Sequence, residues 1–202
     1  MEISSIILAG GRSSRLGHDK VSKTVGDQNL LDLVIKCLIP LAREIILVAS
    51  SENALVKSEK YPDLKVITDV YPGKGPLGGI YTGLLASKAS RNLVVASDMP
   101  FLNPALLCYM MQVSADFDLV VPRVGDLVEP LHAVYRQSCL EPMEHLLKLG
   151  ELPVRRLFSM VKTRFVEADE IDKFDPEHLS FFNINTQADL QKAADIARGM
   201  EP

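Results

Sequence analysis

The sequence predicts an α/β domain built on a mostly parallel sheet. Three observations carry this reading. Short β-branched runs alternate with amphipathic stretches along most of the chain. Several runs, Ser4–Leu8 and Leu93–Ser97 among them, are nearly all apolar, as strands covered on both faces must be. With 47% apolar and 24% charged residues over 202 positions, the chain can bury a core and is not of the disordered class. No repeat, low-complexity segment or linker divides it, so one domain over 1–202 is expected, with the stretch from about 126 to 176 less regular than the first hundred residues.

The elements follow in order. Ser4–Leu8 is the first strand, and a Gly/Ser/Arg-rich loop follows it. Leu30, Leu31, Val34, Ile35, Leu38 and Leu41 then form one apolar stripe of a helix that closes near Pro40. Ile45–Ala49 is a strand, Ser51–Lys60 a polar helix ending at Tyr61-Pro62, and Lys65–Thr68 a third strand. Asp69–Gly79 reads as a long Gly/Pro loop before a helix holding Ile80, Leu84 and Leu85. Leu93–Ser97 is the fourth strand, and Asn103-Pro104 caps a helix running to about Val113. Leu119–Pro122 and Leu131–Tyr135 are two further strands. A helix from about Ser138 closes at Gly150, Pro153–Met160 is a short helix and Thr163–Glu167 a strand. Thr186 caps the last helix, with Asp189 in its first turn. The order of strands in the sheet is not readable from the sequence.

Composition excludes several classes. The net charge of −4 argues against a nucleic-acid-coating surface. No apolar run approaches the roughly 18–20 residues that span a bilayer. The start, with Glu2 and a Gly-rich turn at Gly10, lacks the basic and long apolar regions of a signal peptide, so a cytoplasmic protein is expected. Cys37, Cys108 and Cys139 are an odd set within apolar segments and read as buried thiols. The four histidines show no zinc-ligand spacing, and no Gly-x-Ser-x-Gly elbow is present. Met110-Met111 and Phe181-Phe182 read as core.

Chemistry concentrates where strands end. After the first strand comes Leu8-Ala9-Gly10-Gly11-Arg12-Ser13-Ser14-Arg15-Leu16-Gly17-His18-Asp19-Lys20. Glycines let successive backbone N–H groups close on an anion. Arg15 offers a bidentate fork to phosphate oxygens and Lys20 a point charge. From Gly10 to Lys23, Arg12, Arg15, Lys20 and Lys23 face only Asp19, a local charge of +3 inside an acidic chain. The loop is neither a P-loop nor a Gly-x-Gly-x-x-Gly fingerprint. A solvated surface loop would look similar, but a position at the carboxyl end of a buried strand is where open α/β sheets bind ligands. Asp69 and Asp98 also follow strands. Asp69 is read either as an acceptor for ribose hydroxyls or a base edge, or as a turn residue. For Asp98 the choice is a loop cap or a Mg²⁺ ligand, since Mg²⁺ takes one or two carboxylates beside phosphates and waters.

These residues carry a resemblance. The pattern Leu-Ala-Gly-Gly-x-Ser-x-Arg-x-Gly-x-Asp-Lys over 8–20, with Leu16 where Met is common, is similar to that of the molybdenum cofactor guanylyltransferases, within the wider nucleoside-triphosphate-dependent nucleotidyltransferases. Asp69 followed by Gly75-Pro76-Leu77-Gly78-Gly79, the Asp98-Met99-Pro100 triplet, Pro130–Tyr135 and Phe182–Thr186 also resemble this family's motifs. The family often places an Asn after the second strand; here Ala49-Ser50-Ser51 stands, and no site residue is assigned there. The resemblance implies a three-layer α/β/α Rossmann-like nucleotidyltransferase fold, with a nucleotide-binding half over about 1–105 and an acceptor-binding half over about 106–202. It implies nucleotide binding by Leu8, Ala9, Gly10, Gly11, Ser13, Lys20, Asp69, Gly75, Gly78 and Asp98. Arg15, Lys20 and Asp98 are the expected catalytic residues, and Asp98 the expected holder of Mg²⁺. The implied reaction moves GMP from GTP to the terminal phosphate of molybdopterin, releasing pyrophosphate. Partners are GTP and the pterin, with transient contact to cofactor-biosynthesis proteins and molybdoenzyme chaperones, and neither nucleic acid nor membrane. A relative using CTP or another phosphorylated acceptor is the alternative, though Leu8-Ala9-Gly10-Gly11 favours guanine over the Leu-Ala-Ala-Gly of cytidylyl relatives. A non-catalytic nucleotide-binding module is the alternative of another class. His132 could touch the second substrate or be a satisfied strand histidine, and Asn185 could face metal or acceptor phosphate or simply cap a turn.

Overall fold

The structure is a computed structural model that describes residues 3–9, 24–25, 28–49 and 60–199. Its centre is β1 (Ile3–Ala9), whose Ile6 and Ile7 are fully buried on opposite faces. β1 pairs in parallel with β4 (Glu44–Ala49) on one side and with β6 (Arg91–Ala96) on the other. β5 (Leu64–Thr68) extends the sheet beyond β4, also in parallel. Beyond β6 lies β9 (His132–Arg136), antiparallel to β6 and to the next strand, β7 (Leu119–Val124). β10 (Thr163–Glu167) closes that side in parallel with β7, and β8 (Leu127–Val128) folds back on β7. The order is β10-β7-β9-β6-β1-β4-β5 with β8 off the path, a mostly parallel sheet with one strand reversed inside it. The turn between β7 and β8 is Gly125-Asp126, and the positive φ of 59° at Gly125 gives it the primed twist that two-residue hairpins need.

Two helical layers cover the faces. α1 (Leu30–Leu38) and α3 (Pro104–Val113) bury Val34, Ile35, Leu38, Leu106 and Met110 against Ile7, Leu93 and Val95. On the other face α2 (Gly75–Ala86) and α4 (Leu140–Leu149) bury Leu77, Ile80, Leu84, Met143 and Leu146 against Ile6, Val94 and Val121. The periodicity of α1 produces its buried stripe as expected, and Asn29 caps it by accepting from the Leu31 N–H at 2.9 Å. Asn103 caps α3 through Ala105 and Leu106 N–H groups, and Gly150 ends α4 at a left-handed φ of 73°. α6 (Gln187–Gly199) starts at a reciprocal cap in which Asp189 N–H donates to Thr186 Oγ1 and Thr186 N–H donates to Asp189 Oδ2.

Some expectations are corrected. The 69–79 stretch is not one loop: α2 begins at Gly75, because Pro76 fits the first helical turn; Gly73 and Gly75 do serve the turn with positive φ, whereas Gly78 answers a packing need inside the helix. Ile80, Leu84 and Leu85 lie in α2 as expected, the first two buried and Leu85 57% exposed. The stretch 153–160 forms a 3₁₀ helix over Val154–Ser159, and Gln137–Cys139 forms another before α4. A short hairpin, β2 (Thr24–Val25) with β3 (Gln28–Asn29), and a four-residue helix, α5 (Ala168–Ile171), had no readable signal. The helix expected over Ser51–Lys60 falls, up to residue 59, outside the described residues. Met110 and Met111 are buried as expected, while of the thiols only Cys139 is fully buried and Cys37 and Cys108 are half-buried. Burial pushes Cys139 up to about 12 and Cys37 up to about 11, so neither is a thiolate at neutral pH.

Candidate nucleotide site at the sheet switch point

After β1 the chain builds outward through β4 to β5, then returns to place β6 on the other side of β1. The strand order therefore reverses between β1 and β6, and the crevice at their carboxyl ends is where open α/β sheets take ligands. Ser97 N–H donates to Leu8 O at 3.1 Å and keeps the two strands together to their ends. Leu8 is 7% exposed and lies beneath Gly79 of α2, and Ala9 is half-buried at the rim. Gly10, Gly11, Ser13, Arg15 and Lys20 lie outside the described residues.

Asp98 follows β6 at this crevice. Its carbonyl accepts from Ile184 N–H at 3.0 Å, which draws the 183–185 segment to the end of β6. Glu129, in the β8–β9 connection, lies near enough to Asp98 to feel its charge. Burial pushes the Glu129 carboxyl up, a hydrogen bond from Leu131 N–H pulls it down, Asp98 raises it further, and the Asn183 side chain offsets part of that. Sequence reasoning missed Glu129. Its only signal was adjacency to Pro130, while its chemical neighbour stands 31 positions earlier.

Asp69 follows β5, and its N–H donates to Ala49 O at 2.9 Å, continuing the ladder to β4. Its Oδ1 accepts from Tyr71 N–H at 2.9 Å and lies 2.8 Å from the Thr82 hydroxyl on α2. Asp69 thus holds a turn at the carboxyl end of β5, on the same edge of the sheet as Asp98 but with β4 between it and β1. Gly75 enters α2 at a φ of 67° with open space around it. Gly78 is inside α2, where an added Cβ would meet Tyr71 O at 2.9 Å, so its glycine seats the 70–74 turn on the helix. The first-turn N–H groups of α2 lack intrahelical partners and end the helix positively.

His132 is fully buried on β9, edge-on to Phe181 at 5.1 Å, with no hydrogen-bond partner on either ring nitrogen among the described residues. It faces the core, and it is not a satisfied histidine. The backbone N–H of Asn185 donates to Asp189 Oδ2 in the cap of α6 while its side chain lies at an exposed position.

A mostly parallel sheet flanked by two helical layers, with carboxylates following two parallel strands at its carboxyl edge, is an α/β domain of the class that takes ligands at a switch point. Residues 5–166 match the MobA-like NTP transferase domain, and the chain belongs to that family of nucleotidyltransferases. It is 35% identical to the "Probable molybdenum cofactor guanylyltransferase" of Pelotomaculum thermopropionicum, over 98% of this chain and 94% of the relative. It is 37% identical to the protein of the same name from Chloroflexus aggregans, over 95% and 93%. Among solved structures, molybdopterin-guanine dinucleotide biosynthesis protein A from Archaeoglobus fulgidus superposes with a TM-score of 0.84 at 28% identity, covering 98% of this chain and all of the other. A cytidylyltransferase acting on 2-C-methyl-D-erythritol 4-phosphate, from Thermus thermophilus, shares the fold at a TM-score of 0.73 and 18% identity.

Proposed function

We propose that this chain transfers GMP from GTP to the terminal phosphate of molybdopterin, forming molybdopterin guanine dinucleotide and releasing pyrophosphate. The observation that carries the reading is the carboxyl edge of the parallel strands, with Asp98 following β6 beside the switch point and Asp69 following β5, in a chain whose near-full-length relatives bear the guanylyltransferase name. An oxygen of the acceptor phosphate attacks the α-phosphorus of GTP, and the bond from that phosphorus to the bridging oxygen breaks as pyrophosphate leaves. A phosphate monoester has its second pKa near about 6, so the nucleophile is already ionised at neutral pH and needs no strong base. The work of the protein is to align two polyanions and offset developing charge. Arg15 and Lys20 are assigned to the phosphates, with backbone from Leu8 to Gly11, Ser13 and the entry of α2 at Gly75 and Gly78 around the nucleotide.

Asp98 is the residue that would hold Mg²⁺. Asp98 has the Glu129 carboxylate near it, and Mg²⁺ takes one or two carboxylates beside substrate phosphates and water. Bound there, Mg²⁺ would neutralise phosphate charge. Action in the cytoplasm is part of this proposal; no helix among the described residues is long and apolar enough to cross a membrane.

A pyrophosphate-release assay with each of the four nucleoside triphosphates, with and without molybdopterin and with Mg²⁺, tests this. Release only with GTP and only with the pterin is expected, and Asp98→Asn should lower it roughly a hundredfold or more with an unchanged melting temperature. Selective use of CTP, or release independent of the pterin, overturns the assignment.

A further inference from the structure

We infer that Thr82 is a positioning residue for the nucleotide: its hydroxyl fixes the Asp69 carboxylate so that one oxygen, Oδ2, is presented at the carboxyl edge of the sheet. The inference rests on the proposed reading that Asp69 contacts the nucleotide, and it goes beyond that reading by assigning a residue on another element and the mode of contact.

Thr82 lies within α2 and is 2% exposed. A buried hydroxyl needs partners. Its Oγ1 has three: it accepts from Val70 N–H at 3.1 Å, and Asp69 Oδ1 and Gly78 O lie at 2.8 and 2.9 Å. The hydroxyl has one proton for two acceptors, and the carboxylate is the stronger of them. The Gly78 carbonyl is the ordinary back-bond of a helical threonine. Tyr71 N–H also donates to Oδ1 at 2.9 Å, so both lone pairs of that oxygen are used. Oδ2 has no hydrogen-bond partner among the described residues, and it is not a buried unpaired atom.

The main chain is held as firmly as the side chain. Asp69 N–H is tied to Ala49 O, and the turn after it rests on Gly78, where a side chain would collide with Tyr71 O. The carboxylate is therefore oriented before any ligand arrives. A carboxylate offering both oxygens would suit the adjacent N1–H and N2–H₂ donors of guanine side by side. This one offers a single oxygen at a fixed place. Orientation in advance spares the rotamer entropy that a free aspartate loses on binding, a factor of roughly three to ten in affinity.

The test uses the full chain with Mg²⁺ and titrates each nucleoside triphosphate by calorimetry, for wild type, Thr82→Val, Thr82→Ser, Asp69→Ala and the Thr82→Val/Asp69→Ala double variant. Thr82→Val is expected to weaken GTP binding roughly three- to tenfold. It should raise KM similarly while leaving kcat within about twofold, because it loosens binding rather than the reacting groups. Thr82→Ser, which keeps the hydroxyl, should bind as wild type. The double variant should be no weaker than Asp69→Ala alone. GTP binding by Thr82→Val equal to wild type overturns the inference while leaving the guanylyl reading standing. So does an equal added loss in the Asp69→Ala background, which would mark a structural effect. Wild-type binding of CTP instead of GTP overturns the guanylyl reading, with the Thr82 comparison then read on CTP. Failure of wild type to bind any nucleotide overturns both.

Discussion

Among the described buried residues, His132 is the one whose ordinary pKa lies near neutrality. Burial, opposed in part by the nearby Asp175 carboxylate, pushes its imidazole down from about 6.5 to about 4. In the unfolded chain it titrates near about 6.5, so between those values only the unfolded state holds the extra proton. Stability is then fully present above about pH 6.5 and falls as pH drops toward 4, by about 3 kcal/mol at most. His132→Leu removes the titration and two unpaired ring nitrogens, so urea midpoints at pH 7 and pH 5 should differ by less in the variant than in wild type. An undiminished difference between the two pH values would show that another group carries the slope. Residue-level reading of the sequence did well where one residue ends a strand. Asp69 and Asp98 could be found because an apolar run points at each. It failed where a residue matters through a distant neighbour. Glu129 feels the charge of Asp98, and Thr82 meets Asp69 from 13 positions away on a helix, and neither relation leaves a local trace.

The elements were legible where periodicity is strong. β1, β4, β6, β7 and β10, α1 and α3 fall within a few residues of their expected limits, since apolar patterns and the Asn103-Pro104 cap mark them, while the start of α6 was read from its Thr186 cap alone. α2 was entered five positions late because its glycines imitate a loop. At Gly83 the cause is close packing on the sheet. At Gly83 an added Cβ would lie 2.4 Å from Ile6 Cγ2 and 3.0 Å from its Cδ1. Ile6 is wholly buried and β-branched, so it has little room to yield. At Gly79 the same atom would meet Leu8 at 3.4 Å, an ordinary contact. Alanine gains up to about 1 kcal/mol over glycine inside a helix. Overpacking costs typically about 1–3 kcal/mol. For Gly83→Ala the second effect wins, with an expected net loss of about 1–2 kcal/mol and a melting temperature several degrees lower. Gly79→Ala should unfold at or above the wild-type temperature. Equal behaviour of the two variants would remove close packing as the reason for Gly83.

At the scale of the molecule, strand order was the part the sequence withheld, because pairing joins segments far apart in the chain and depends on which edges remain open. The short 129–131 link after β8 delivers β9 into the slot between β6 and β7, and so sets it against its parallel neighbours. That arrangement makes the sheet unequal in stability. β1 and β6 have strands on both sides and helices on both faces, with Ile6, Ile7, Leu93, Val94 and Val95 fully buried. β5 and β10 lie at the edges of the described sheet, and β5 holds no fully buried residue. Opening an edge strand breaks one ladder and exposes little apolar surface, while opening β1 or β6 disrupts both helical layers. Native-state hydrogen exchange in rising urea should therefore show β1 and β6 amides exchanging only through global unfolding, with a strong dependence on denaturant. β5 and β10 amides should exchange through smaller openings that urea barely affects until the global route takes over. Edge amides as protected and as urea-sensitive as those of β1 would mean that the sheet opens as a single unit, and that the crevice between β1 and β6 is no more rigid than its margins.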